Sequence, residues 1–278
     1  MKKFWKNANV RLKVGIIITA FFLFLGFVVY YIPHVDPFTY NTYRGKLPPS
    51  WTHPLGTTSM GQDVFWLLIE AIHNSLLIGF IVAWIGTVVG VFVGLFSGVV
   101  GGAADRILMV VTDTFVVIPS LPILVLMTSL MKGSATIVVM ALVLGVFAWA
   151  WPSRQIRSLA LSLKERDFIH TAWFSGEGTI QVVVTEILPY ALTWSLSNFM
   201  NATLAAIASE SSLAVLGLSP ANLISLGNMI QWARERNAIF TNQWFWIGPP
   251  IVATVLLFIG LFLLITGYND YLSMKRGR

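Results

Sequence analysis

Six runs of apolar residues, at roughly 14–32, 76–99, 107–131, 135–152, 186–208 and 246–268, dominate this chain. A helix rises 1.5 Å per residue, so about 20 apolar residues cross a hydrocarbon layer about 30 Å thick. Within lipid every backbone N–H and C=O must be bonded internally, and a helix achieves this segment by segment. The expected fold is therefore all-α, a polytopic membrane protein with six transmembrane helices. Only 11% of the 278 residues are charged and 56% are hydrophobic, against roughly 25% charged in soluble domains. That leaves too little polar surface to cover a globule in water.

Charge orients the spans. Lys2, Lys3, Lys6, Arg11, Lys13, Arg106, Arg154, Arg157, Lys164, Arg166, Lys275, Arg276 and Arg278 fall on one side. Arg44, Lys46, Lys132, Arg234 and Arg236 fall on the other. Cytoplasmic loops carry the excess of Lys and Arg, so the first set is placed inside. Both termini are then cytoplasmic, which requires an even number of spans, and six agrees. The first run, "VGIIITAFFLFLGFVVYYI", exceeds a signal-peptide core and is read as a retained span. The longest inner segment is about 153–185, and polar loops at 33–74 and 209–245 lie outside. The net charge of +6 fits inner-loop Lys and Arg rather than nucleic acid, since no basic run is interleaved with aromatics.

Gly86, Gly90, Gly94 and Gly98 recur every four residues in the second span. Positions four apart share a helix face, so these glycines form a groove without side chains. Helices in lipid gain mainly from such close backbone approach, and the groove is expected to receive another helix. In the third span, Asp113 is a candidate pathway residue; a helix-to-helix bond is the alternative. Pro119 and Pro122 should kink that span and free carbonyls beside a cavity. Glu210, at the outer end of the fifth span, is a candidate to cap or line the outer mouth, with an ordinary interfacial carboxylate as the alternative.

Catalytic chemistry is missing from the sequence. There is no Gly-x-x-x-x-Gly-Lys-Ser/Thr phosphate loop and no His-Glu-x-x-His pair, and "GTTSMG" fails the spacing of a serine elbow. The four His, at 34, 53, 73 and 170, lack metal-ligand spacing, and the chain has no Cys, which excludes disulfides, thiolate zinc and a Cys nucleophile. No metal site and no bound cofactor are expected. A passage or a scaffold remains. If transport is active and not ion-coupled, a partner that hydrolyses ATP must grip an inner loop.

"KERDFIHTAWFSGEGTIQVVVTEILP", residues 164–189, suits that grip. Lys164 to Ser175 can form an amphipathic helix, with Phe168, Ala172 and Ser175 on one side and Arg166, Asp167 and His170 facing elsewhere. Gly176 and Gly178 allow a sharp turn. A second helix can start near Thr179, run through Gln181 and Val184, and enter the membrane near Pro189.

The same residues carry a resemblance. "HTAWFSG" followed by "EILP" resembles the Glu-Ala-Ala, three residues, Gly, about nine residues, Ile-x-Leu-Pro loop of ABC importer permeases. Ala172, Gly176 and Pro189 match. His170, Thr171 and Glu186 depart, which leaves Glu165, Asp167 and Glu177 as nearby carboxylates. "HPLGTTSMGQDVF" at 53–65 is similar to the His-Pro-Leu-Gly-Thr-Asp-x-x-Gly-Arg-Asp block of dipeptide, oligopeptide and nickel permeases, departing at Thr58 and Gln62. "NSLLIGF", "DRILMVVTDTFVVIPSLP" and "SESSLAVLGLSP" extend the similarity over about 50–260, whereas "LLITGYNDYL" departs from the usual ending.

The resemblance implies a type I ABC importer permease fold in a bacterial or archaeal inner membrane. Residues 1–50 would hold the inner tail, the first span and the start of the outer loop. Residues 51–268 would be the permease core and 269–278 an inner tail. A second, related permease would complete a heterodimeric pathway, and two ATP-binding cassette subunits, which carry ATP and Mg, would dock on Glu165, Arg166, Asp167, His170, Thr171, Ala172, Gly176, Glu177 and Pro189. An extracytoplasmic binding protein would deliver substrate. Oligopeptides and oligosaccharides both stay open, since Trp232, Trp244 and Trp246 on the outer side could stack on sugar rings or simply anchor at the interface. Nickel ranks behind them, because no His, Asp and Glu cluster appears. A self-sufficient secondary transporter or channel, and a membrane enzyme or scaffold, are the competing readings.

Overall fold

The computed structural model describes residues 9–130, 136–220 and 222–276, with Lys275 and Arg276 described by backbone alone. Lys2, Lys3, Lys6, Lys132 and Arg278, used above for orientation, lie outside the described residues. Among the described residues the regular structure is helical: α1 (Val10–Phe27), α2 (Val64–Val100), α3 (Gly102–Val117), α4 (Ser120–Leu130), α5 (Ile137–Ala148), α6 (Ala150–Lys164), α7 (Asp167–Phe174), α8 (Thr179–Val182), α9 (Leu188–Val215), α10 (Leu226–Glu235) and α11 (Trp244–Arg276). A single isolated bridge joins Thr57 and Asp63.

Among the described residues three stretches, Val10–Tyr31, Val64–Val100 and Trp244–Met274, are long and apolar enough to cross a membrane, and up to five spans result if each of two bent pairs counts as one. The expectation of six is not reached by this measure. The missing one is 186–208, which falls on the 28-residue α9. That helix carries Thr193, Ser195, Asn201 and Thr203, each bonded back to a carbonyl four residues earlier. Such self-satisfied groups cost less in lipid than a sum of side-chain hydropathies implies.

The sharper of the two bends has a local cause. α3 and α4 meet at 80°. Ile118, just before Pro119, is extended with ψ 124°, because the proline ring disfavours the helical conformation in the residue preceding it. Pro122 sits in the first turn of α4, where a missing N–H breaks no helical bond. α5 and α6 meet at 43° around Trp149.

The chain divides into two compact units, one of Met1–Gly79, Val125–Met140 and Leu204–Arg278, the other of Phe80–Leu124 and Ala141–Thr203. In the first, α1 lies against α11. Gly15 faces the Leu263–Leu264 backbone, Gly260 faces Ile18 and Gly267 faces Leu12. One number rises as the other falls, so the two helices are antiparallel. Asn9 closes this contact: its Oδ1 accepts from Leu12 N–H at 2.8 Å and its Nδ2 donates to Asp270 at 3.0 Å. The loop before α2 is tied by its own side chains. Asp63 caps the helix by accepting from Phe65 N–H (2.8 Å) and holds His53 Nδ1 at 2.7 Å.

In the second unit Gly86, Gly90, Gly94 and Gly98 face Ala148, Pro152, Ser153 with Ile156, and Ala160. A Cβ at these positions would stand 2.5–2.8 Å from its nearest neighbour, so only hydrogen fits. Here the paired numbers rise together, so this part of α2 runs parallel to α5–α6. Gly94→Val should therefore destabilise the protein by overpacking, by roughly 1–3 kcal/mol or more. Gly248→Ala, with open space around it, should not. Thermal unfolding in detergent, followed by loss of the monodisperse species, separates the two.

Candidate functional site

The segment 150–191 is built on a buried root. α6 ends at Lys164, whose Nζ donates to Val99 O at 3.0 Å. The chain turns through Glu165 and Arg166, and α7 starts at Asp167, where a carboxylate favours the helix N-terminus. The sequence pattern predicted one helix from Lys164 to Ser175; the structure breaks it at Glu165–Arg166. The buried face also differs. Ile169 is fully buried, with Ala172 and Trp173 packed beside it, while Phe168 is exposed. Ile169 joins Leu95, Ile156, Ala160, Leu163, Val182, Ile187 and Ala191 in one cluster, so α7 is fastened to α2, α6 and α9 at once.

Gly176 has φ +88°, which side-chain-bearing residues rarely adopt. Its N–H bonds Trp173 O and the N–H of Glu177 bonds Ala172 O, closing α7. α8 passes into a π-helical turn at Val183–Ile187 and then α9, with Pro189 exposed at its second position. Glu165, Arg166, Asp167, His170 and Thr171 are all exposed; Ala172 and Glu177 are partly buried. Phe174 (91% exposed) and Ile180 (81%) stand beside them. Sequence reasoning did not single out these two, although apolar residues on either side of a Gly-x-Gly turn were the available signal. Charges and two bare apolar side chains on a rooted α7–α8 corner suit a docking surface.

A clamp next to this corner was also missed. Arg157 on α6 bonds Asp105 on α3 through Nε (2.6 Å) and Nη2 (2.7 Å), and Ser97 donates to the same carboxylate. Paired, planar geometry of this kind is the strong form of an Arg–carboxylate contact. Asp113 stands 3.5 Å from Arg154, both about half exposed.

On the other unit, Glu210 is fully buried. Ser225 and Ser219 donate to its Oε1 at 2.6 and 3.5 Å, and its Oε2 has no partner. Glu210 lies beyond the predicted 186–208 span. Burial pushes its carboxyl up to about 7, against the pull of the two serine hydroxyls. Trp246, considered above for sugar stacking, is buried, whereas Trp244 is exposed. Thr58 and Gln62, the two departures from the 53–65 block, touch each other: Thr58 Oγ1 donates to Gln62 Oε1 at 3.4 Å.

Comparison with known proteins adds a family. The family model for the binding-protein-dependent transport system inner membrane component matches residues 90–278. The oligopeptide transport system permease protein OppC of Mycobacterium tuberculosis is 32% identical over 92% of this chain and 87% of its own length. OppC of Bacillus subtilis is 30% identical, over 81% and 75% respectively. The nickel transport system permease protein NikC of Escherichia coli is 28% identical over 92% of each.

The clamp is testable by a double-mutant cycle. Arg157→Ala and Asp105→Asn should each destabilise the chain, and the pair together by less than their sum. The coupling should be about 1–3 kcal/mol, between exposed pairs and fully buried ones. Strict additivity in thermal unfolding would show that the two side chains do not act on each other.

Proposed function

Because the chain belongs to the binding-protein-dependent transport system inner membrane components, as a permease subunit of an ABC importer, we propose that it forms half of a pathway for oligopeptides across the bacterial inner membrane. A second, related permease supplies the other half. Two ATP-binding cassette subunits dock on the α7–α8 corner and hold the ATP and Mg, since this chain brings no ATPase site of its own. An extracytoplasmic binding protein loads the substrate. The working topology is the type I permease arrangement of six spans with both termini inside. The antiparallel register of α1 on α11 and the parallel register of α2 on α5–α6 are what an alternating path with an even number of crossings requires.

The observation that carries this reading is the construction of α7. Its outer face presents Asp167, His170 and Phe174 to a partner, with Glu165 in the turn just before it, while Ile169 roots it among residues of α2, α6 and α9. Force applied to α7 is therefore delivered to three helices together. Closure of the ATPase subunits on ATP would push α7, bias the pathway toward its outward-facing state, and release it after hydrolysis. A motor can shift such an equilibrium only through contacts that differ between the two states, and α7 is the surface available for them.

Oligopeptides are favoured over oligosaccharides. The relatives named above are described as oligopeptide and nickel permeases, and Trp246 is buried where a sugar platform would need it bare. A binding screen of peptides, oligosaccharides and Ni²⁺ on the cognate extracytoplasmic protein decides this; preference for a sugar or for nickel would sink the peptide assignment.

Docking is tested in the assembled importer. Glu165→Lys, Asp167→Lys and Glu177→Lys together should strip the ATPase subunits during purification and lower transport at least tenfold, with this chain still folded. Retained ATPase subunits and unchanged uptake would remove α7 from the coupling path.

A further inference from the structure

Glu210 and its neighbours form a polar cluster that the transport reading does not use. Glu210 is on α9; Ser219 and Ser225 follow in the connection to α10, and Asn228 is in the first turn of α10. Glu210 and Asn228 are 0% and 1% exposed. Ser225 does two jobs: its Oγ donates to Glu210 Oε1 (2.6 Å) and accepts from Asn228 N–H (3.1 Å), capping α10. Asn228 Nδ2 faces the oxygens of Ser219 (3.2 Å), Pro220 (3.2 Å) and Leu223. Three acceptors around one nitrogen fix which way the amide points.

Two acceptors here lack a donor. Glu210 Oε2 and Asn228 Oδ1 are buried with no hydrogen-bond partner. Ser211 lies against Gly227, but its Oγ is unpartnered too, so its hydroxyl meets neither oxygen. A proton on Oε2 turns that oxygen from an unmet acceptor into a donor and removes a buried charge, which otherwise costs far more than an unmet hydrogen bond.

Charged groups on the packed elements are engaged elsewhere. On α2, Glu70 accepts from Asn74 Nδ2 and His73 Nδ1 meets Gly26 O. On α10, Arg234 donates to Val215 O and Glu235 accepts from Gln231; Arg236, just past its end, is exposed. α11 carries no charged residue before Asp270, which pairs with Asn9 and Arg11. Among the described residues no cationic side chain reaches Glu210.

We propose that Glu210 is a proton-binding site, occupied in the folded protein, that fastens α10 and its leading connection to α9 and α2. The same piece is held to α2 by Asn74 Nδ2 on Ile224 O (2.7 Å) and by Leu226 N–H on Ser75 Oγ (3.1 Å). Loss of the proton leaves a bare carboxylate in the joint and loosens it. The direction follows from linkage. The folded carboxyl holds its proton to a higher pH than the unfolded one. This contribution is therefore intact at low pH, falls as pH rises from about 4.5 to about 7, and changes no further above that. The proposal does not depend on the identity of the transported substrate or on where the ATPase subunits dock.

Infrared difference spectroscopy of the full chain in lipid nanodiscs tests it. At pH 6 the wild type should show the C=O band of a protonated carboxylic acid, sensitive to D₂O and shifted by ¹³C-carboxyl glutamate. The band should fade as pH rises through neutrality and be missing in Glu210→Gln. Ser225→Ala removes a donor to the anion, so its band should persist to higher pH, by on the order of one pH unit. No glutamic acid band at pH 6, or a band that survives in Glu210→Gln, would overturn the assignment. So would a wild-type band abolished by Na⁺ at constant pH and ionic strength, which would mark a metal cation as the occupant. If Glu210→Gln does not fold, the Ser225→Ala shift of the isotope-labelled band makes the assignment, because Ser225 Oγ bonds Glu210; an unshifted band would overturn it.

Discussion

At Gly86, Gly90, Gly94 and Gly98 the backbone of α2 meets α5 and α6 with no side chain of its own between them. Lipid tails are as apolar as leucine, so burying apolar surface between two helices in a bilayer gains little, and close packing must hold them. Much of the second unit follows from this contact. It sets α6 beside α2, which brings Arg157 within reach of Asp105 and Lys164 within reach of Val99 O. It also places Leu95 where Ile156, Ala160 and Ile169 can close over it. The exposed corner at α7 is firm because its root shares this packing.

The second constraint is that polar groups away from water must find partners within the protein. Most do so cheaply, through bonds to the preceding helical turn, as Ser195 and Thr203 do. The Asp63 cap of α2 and the Asn9 cap of α1 serve helix ends and at the same time bind a second element, His53 in one case and Asp270 in the other. Glu210 does not: it is enclosed, met on one oxygen and bare on the other.

Legibility followed the range of the interaction. The four-residue glycine spacing, the break at Pro119 and the turn at Gly176 are properties of a few consecutive residues, and they could be read directly. The division of 164–175 into two helices could not, because Lys164 is held by Val99, 65 residues earlier. Nor could the choice of Ile169 over Phe168 as the buried residue. On a short helix both positions are apolar, and the neighbours at Leu95 and Ala191 decide between them. The Asp105–Arg157 clamp spans 52 residues and leaves no periodic trace.

The sequence by itself determined that this is a helical membrane protein, where its apolar segments lie, which side of α2 a neighbour must approach, and that an exposed, charged loop precedes Pro189. Those features depend on local chemistry: apolar run length, residue spacing, and the special backbones of glycine and proline. Only the tertiary structure decided which helix fills the glycine groove, which residue roots α7, and that Glu210 is sealed from solvent. Each of those depends on which distant side chains arrive at the same place, and that is fixed by packing in three dimensions rather than by any pattern along the chain.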